Sequence, residues 1–130
     1  MGNYNDIYMR AYQGDPGNVP RSSSYGLSNS PDLIPYGTQP VDPSVFLTTG
    51  SWATTYNATL VENMANYMYM RAQNLGTDPS TGTFTLYAAP ASMLLWPSQW
   101  VKNQLLTQTG EATQAITLQG GEKGVLPSAF

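Results

Sequence analysis

Apolar and polar positions alternate along this chain in short bursts, each soon interrupted by Gly, Pro, Asn or Asp. A period of two bounded by turn residues is the signature of short, half-buried β-strands. It predicts strands near Asn5–Arg10, at Asp32–Gly37 and at Val45–Thr49, with Pro35 placing the second at a sheet edge. Between the first two lies "QGDPGNVPRSSSYGLSNSPD", a loop by composition.

The stretch "NATLVENMANYMYMRAQNLG" admits two periods. Leu60, Val61, Met64 and Met68 match helical spacing, whereas Ala65–Gln73 alternates, with Met68, Met70 and Ala72 facing one way and Tyr67, Tyr69 and Arg71 the other. The strand is preferred, with Met68 and Met70 inward and a turn at Asn74–Gly76. Thr83–Ala89 alternates with Phe84, Leu86 and Ala88 inward, and the polar turn before it suggests antiparallel pairing with 65–73. Met93–Trp96 reads as a further short strand stopped by Pro97. "ATQAITLQ" sets Ala115 and Thr117 opposite Ile116 and Leu118, and Val125, Leu126 and Phe130 are the last apolar positions. Many short strands without a long helix point to an all-β fold, an Ig-like antiparallel β-sandwich over residues 30–130. Residues 1–29 would then form an N-terminal extended arm. Tyr-Met-Arg-Ala occurs twice, at 8–11 and 69–72, but the similarity fades quickly, so the first copy is expected as an extension free to pair elsewhere and the second as a core strand.

Composition narrows the function. The 130 residues fit one domain, and nine Tyr beside 41% hydrophobic content argue for a folded chain. Charged residues are only 10%, against roughly 25% in ordinary soluble domains. The five basic residues, Arg10, Arg21, Arg71, Lys102 and Lys123, are scattered and the net charge is −3, which excludes a phosphate-binding stripe and makes nucleic acid an unsuitable partner. Sparse charge and Tyr-rich polar surface suit a subunit of an assembly. No stretch is long and apolar enough to insert into a membrane, and "MGNYNDIYMR" lacks the pattern of a Sec signal.

Chemistry is thin. With neither His nor Cys, the commonest general base, metal ligand and soft nucleophile are missing. Asp6, Asp15, Asp32, Asp42 and Asp78 mostly sit beside Pro or Gly, the usual setting of turn-forming Asp. Asp6 and Asp15 sharing a calcium ion is the weaker alternative. No enzymatic activity and no cofactor are expected. "LLWPSQW" offers two readings: Trp96 and Trp100 as a sugar-stacking platform, or as core residues. Asn57 opens an N-glycosylation sequon that matters only in a secreted eukaryotic protein.

Three segments in order, "SPDLIPYG" (Ser30–Gly37), "NYMYMRAQNLG" (Asn66–Gly76) and "GTFTLYAAPASMLLWPSQW" (Gly82–Trp100), resemble bacterial Ig-like modules of the CARDB-like kind. Upstream, "DIYMRAYQGDPGNVP" resembles the lead-in often found before them, with Ala11 where an acidic residue is usual. The resemblance implies an Ig-like sandwich on an extracellular or virion- or particle-associated surface. Such modules usually continue past the "PSAF" segment, so a sandwich incomplete at its C-terminus is expected, completed by a neighbouring copy or partner through strand edges. The expected function is a non-enzymatic structural or interaction subunit, a homo-oligomer or part of a larger assembly. Its contacts are expected at Tyr4, Ile7, Tyr8, Trp96, Trp100 and Phe130; the alternative is a carbohydrate-binding module using Trp96 and Trp100.

Overall fold

A computed structural model describes residues 2–3, 5–19, 30–88 and 101–130. The elements are β1 (Gly2–Asn3), β2 (Ile7–Tyr8), β3 (Asn18–Val19), β4 (Leu33–Gly37), a 3₁₀ helix (Pro43–Leu47), α1 (Thr49–Trp52), β5 (Tyr67–Asn74), β6 (Ser80–Phe84), a second 3₁₀ turn (Val101–Asn103), β7 (Gln114–Leu118) and β8 (Lys123–Val125). The described fold is mostly strand, all pairings are antiparallel, and the few helices are short.

β5 is the organising strand. The backbones of its even residues bond to the C-terminal segment: β8 pairs Arg71–Gln73 with Val125–Lys123, and Met68 and Phe130 exchange two hydrogen bonds of 2.9 and 2.8 Å. The odd residues bond to β4 and then β2 in series, through Arg71 N to Asp32 O (3.0 Å) and Leu75 N to Asp6 O (3.1 Å). In this register Ile34 faces β5 with its backbone groups while Pro35 lies opposite Met68, so proline's missing N–H costs no ladder bond. Pro35 O, turned outward, accepts from Ala58 N at 3.3 Å.

Both faces of β5 are covered, which fits the unbroken apolar run Tyr67–Met70 and the burial of Arg71 and Asn74 beyond it. On one face Tyr69 and Ile34 pack with Phe46 and Ala129; on the other Met70 packs with Leu126 and Phe130, backed by Phe84, Leu86 and Ile116. The first cover is the helical segment. Asp42 accepts from Ser44 N (2.9 Å) with Pro43 as the first helical residue, and Thr48 accepts from Ser51 N (3.2 Å). Tyr69 hydroxyl donates to Val41 O (3.1 Å) and accepts from Val41 N (2.8 Å), while Phe46 meets Tyr56 edge-on at 5.4 Å. Such ring pairs add about 0.5–1.5 kcal/mol each beyond burial. The second cover is the β6–β7 pair, which approaches closely because Gly124 has no side chain: a Cβ there would lie 2.4 Å from Leu118 Cδ2.

Several expectations are corrected. Instead of a strand at Val45–Thr49, Val45–Leu47 close a 3₁₀ helix capped by Asp42, and Thr49 opens α1, with the extended Thr48 between them as its cap. Residues 65–73 do not pair with 83–89; β5 takes β2, β4 and β8, and β6 takes β7. The strand expected at Thr83–Ala89 is centred earlier, at Ser80–Phe84, and Ala88 is exposed. Tyr69 and Arg71 are as buried as Met70, since the helical segment roofs their face. Residues 5–10 are reduced to the two-residue β2, and through it the first Tyr-Met-Arg-Ala segment joins the central sheet rather than forming a free arm. The Met93–Trp96 strand lies outside the described residues.

Candidate interaction surface

A buried ionic cluster fixes the frame. Asp32, fully buried, accepts from Arg10 N (2.7 Å), Arg10 Nε and Nη2 (3.1 and 2.6 Å) and Arg71 Nε (2.9 Å). The other Arg71 donors reach Phe46 O, Ser51 O, Pro31 O and Thr54 O at 2.8–3.0 Å, so all five guanidinium N–H groups are used. Those carbonyls include free ends of the helical segment, so Arg71 ties the roof to the sheet. Burial pulls the Arg71 guanidinium below its ordinary pKa, and the Asp32 bond and charge oppose this; an arginine stays cationic here. Trp52 lies under three cations, Arg10 Cζ at 4.2 Å, Lys123 Nζ at 4.8 Å and Arg71 Cζ at 5.0 Å. Asp32 is thus more than a turn-former.

From this frame one segment projects. Asn57 through Ala65 are all exposed, and among them Leu60, Val61 and Met64 are 63%, 44% and 54% accessible. Asn66 closes the loop: its Oδ1 accepts from Val61 N (2.8 Å) and its Nδ2 donates to Val61 O and Met64 O (2.9 Å each). Asn63 takes the left-handed turn with φ 61°, a conformation Asn tolerates better than most residues. The helical spacing in Leu60, Val61 and Met64 therefore corresponds to no helix. Three apolar side chains held half in water leave roughly 3 kcal/mol of burial unrealised.

A smaller apolar site lies on the stem that follows β6. Leu105 N donates to Leu86 O (2.8 Å) and Ala88 N to Asn103 O (2.9 Å), with a bridge between Tyr87 and Gln104. Leu86 and Leu105 turn inward, so alternation sets Tyr87, Gln104 and Leu106 outward; Tyr87 and Leu106 are 39% and 57% accessible. Lys102, also exposed, lies in the 3₁₀ turn just before Gln104.

A cleft of about 320 Å³ is lined by Asn5, Asp6, Leu75, Thr77, Asp78 and Ser80, among others. Hydrogen bonds from Ser80 hydroxyl and Ile7 N hold the Asp6 carboxyl below its ordinary pKa. Asp15 is committed elsewhere, its oxygens accepting from Ala11 N and Gly17 N at 2.9 Å. No group of three or more His, Cys, Asp or Glu able to hold a metal ion occurs among the described residues.

The contact residues expected from sequence are dispersed. Ile7 is half-buried against Gly82 of β6. Tyr8 is buried and its hydroxyl donates to Asp15 O at 3.0 Å. Phe130 is buried with Met70 and Leu126. Tyr4, Trp96 and Trp100, including the sugar platform, lie outside the described residues. The exposed loop carried no sequence signal of its own: Asn66 as a clamp is indistinguishable from any turn Asn until the loop is closed. No family model, curated protein or solved structure matches the chain.

Proposed function

We propose that this protein is a non-enzymatic structural or interaction subunit built on an Ig-like sandwich, which assembles with other protein subunits in an extracellular fibre or a viral or injection-type particle. The observation that carries the reading is the Asn66-clamped loop presenting Leu60, Val61 and Met64 to solvent. A loop ordered by its own hydrogen bonds loses little entropy on docking, so most of its apolar burial is available for association. Low charge on the rest of the chain supports the same reading, because little repulsion opposes close packing of subunits. The β4 edge contributes less than the sequence suggested, as Pro35 lacks an outward N–H and its carbonyl is taken by Ala58.

Light scattering across a wide concentration range tests the proposal. Mass rising with concentration is expected, and Leu60→Ser should reduce the rise while circular dichroism stays unchanged. A monomer at every concentration would overturn self-assembly as the function.

A further inference from the structure

We infer that Met64 is an oxidation site: hydrogen peroxide converts its thioether to the sulfoxide, and this polar group switches off the apolar contact of the projecting loop. The switch rests on the assembly reading above; the site itself does not. The chain has six Met and no Cys, so a peroxide finds thioethers rather than thiols as its sulfur targets. Among the described residues these are Met9, Met64, Met68 and Met70, and their surroundings differ. Met70 is buried with Leu126 and Phe130, and Met9 and Met68 pack against that cluster. Met64 is 54% accessible, in a loop whose residues 57–65 are all exposed. Oxygen transfer requires the sulfur lone pair to reach the peroxide, so exposure orders the rates.

In that step the sulfur attacks one peroxide oxygen and the O–O bond breaks. The other oxygen takes the first one's proton and leaves as water, so the sulfur is oxidised and the peroxide reduced. A dithiol-dependent reductase reverses it, returning the thioether with a disulfide and water. The loop's geometry sets what the sulfoxide does. Asn66 Nδ2 already donates to Val61 O and Met64 O, so it has no hydrogen left for the new oxygen. Leu60 and Val61, the other apolar side chains of the patch, offer none. In water the sulfoxide is hydrated and the Asn66 clamp is untouched, so the fold stays. At a subunit contact the same oxygen is buried without a partner, where a thioether gains from burial. Oxidation of Met64 thus weakens association without unfolding the chain, whereas oxidation of Met70 would disturb the core beneath β5.

Mild hydrogen peroxide treatment of the whole chain, followed by peptide mass spectrometry and sedimentation velocity, tests this. Met64 should be oxidised at least about tenfold faster than Met9, Met68 and Met70. The protein oxidised at Met64 should keep its far-ultraviolet circular dichroism and associate about ten- to thirtyfold more weakly. Methionine sulfoxide reductase with dithiothreitol should restore association. In Met64→Leu, peroxide should leave association where it stood before treatment. Met64 oxidised no faster than Met68 would overturn the site. Unchanged association of the Met64 sulfoxide, or a peroxide-induced loss that persists in Met64→Leu, would overturn the switch while leaving self-assembly standing. A wild-type chain that never associates would overturn the assembly reading and the switch with it, and the order of oxidation among the methionines would still decide the site.

Discussion

Replacing Asp32 by Ala leaves Arg10 and Arg71, 5% and 1% exposed, without the carboxylate that accepts three guanidinium bonds and one backbone amide. Removing one partner from a buried ionic cluster costs about 3–5 kcal/mol, because the remaining charges stay desolvated. A chain of this length has about 6–20 kcal/mol of total stability, so the loss is a large share of it. Urea unfolding followed by far-ultraviolet circular dichroism should show it. With a slope of about 2 kcal/mol/M, the midpoint falls by about 1.5–2.5 M. Adding Arg10→Met should return part of the loss, since one uncompensated cation is then gone, and the cycle of single and double variants measures the coupling. A midpoint shift below about 0.5 M, or strictly additive variants, would refute the claim that Asp32 holds sheet, roof and N-terminal segment together.

Two further outcomes follow from the same geometry. Asn66→Ala removes three hydrogen bonds from the projecting loop, a local loss of about 1–3 kcal/mol, so amide exchange at Val61 should accelerate while that of β5 is little changed; unchanged exchange at Val61 would show that the clamp does not order the loop. Asp6 has its pKa lowered by Ser80 hydroxyl and Ile7 N, so between its folded value and the unfolded value of about 3.9 the unfolded chain binds more protons. Its contribution is therefore complete above about pH 4 and lost as pH falls through the folded value; melting curves of wild type and Asp6→Asn that remain parallel from pH 6 to pH 2 would contradict this.

Much of the local structure was legible. β7 follows its alternation, with Gln114 and Leu118 buried and Ala115 and Thr117 exposed, because a period of two is a property of the strand itself. β4 sits at an edge as Pro35 required. Asp42 reads as a turn residue in sequence, and only the fold shows its side chain capping a 3₁₀ helix where a strand is expected. The two faces of β5 were legible as well, but alternation tells only that faces differ. It does not tell what lies above each.

What the sequence determined by itself was an all-β chain of short strands, poor in charge and lacking the side chains of common catalysis. The tertiary structure decided which strands meet and which polar residues are buried. Arg10 lies 22 positions and Arg71 39 positions from Asp32, so nothing near "SPDLIP" distinguishes a buried ionic centre from a turn. The two Tyr-Met-Arg-Ala segments are no repeat in sequence, yet β2 and β5 are paired and both arginines close on the same carboxylate. Exposure of Leu60, Val61 and Met64 was equally out of reach. Whether an apolar side chain is buried depends on what the rest of the chain leaves free to cover it, and here the available cover is spent on the faces of β5.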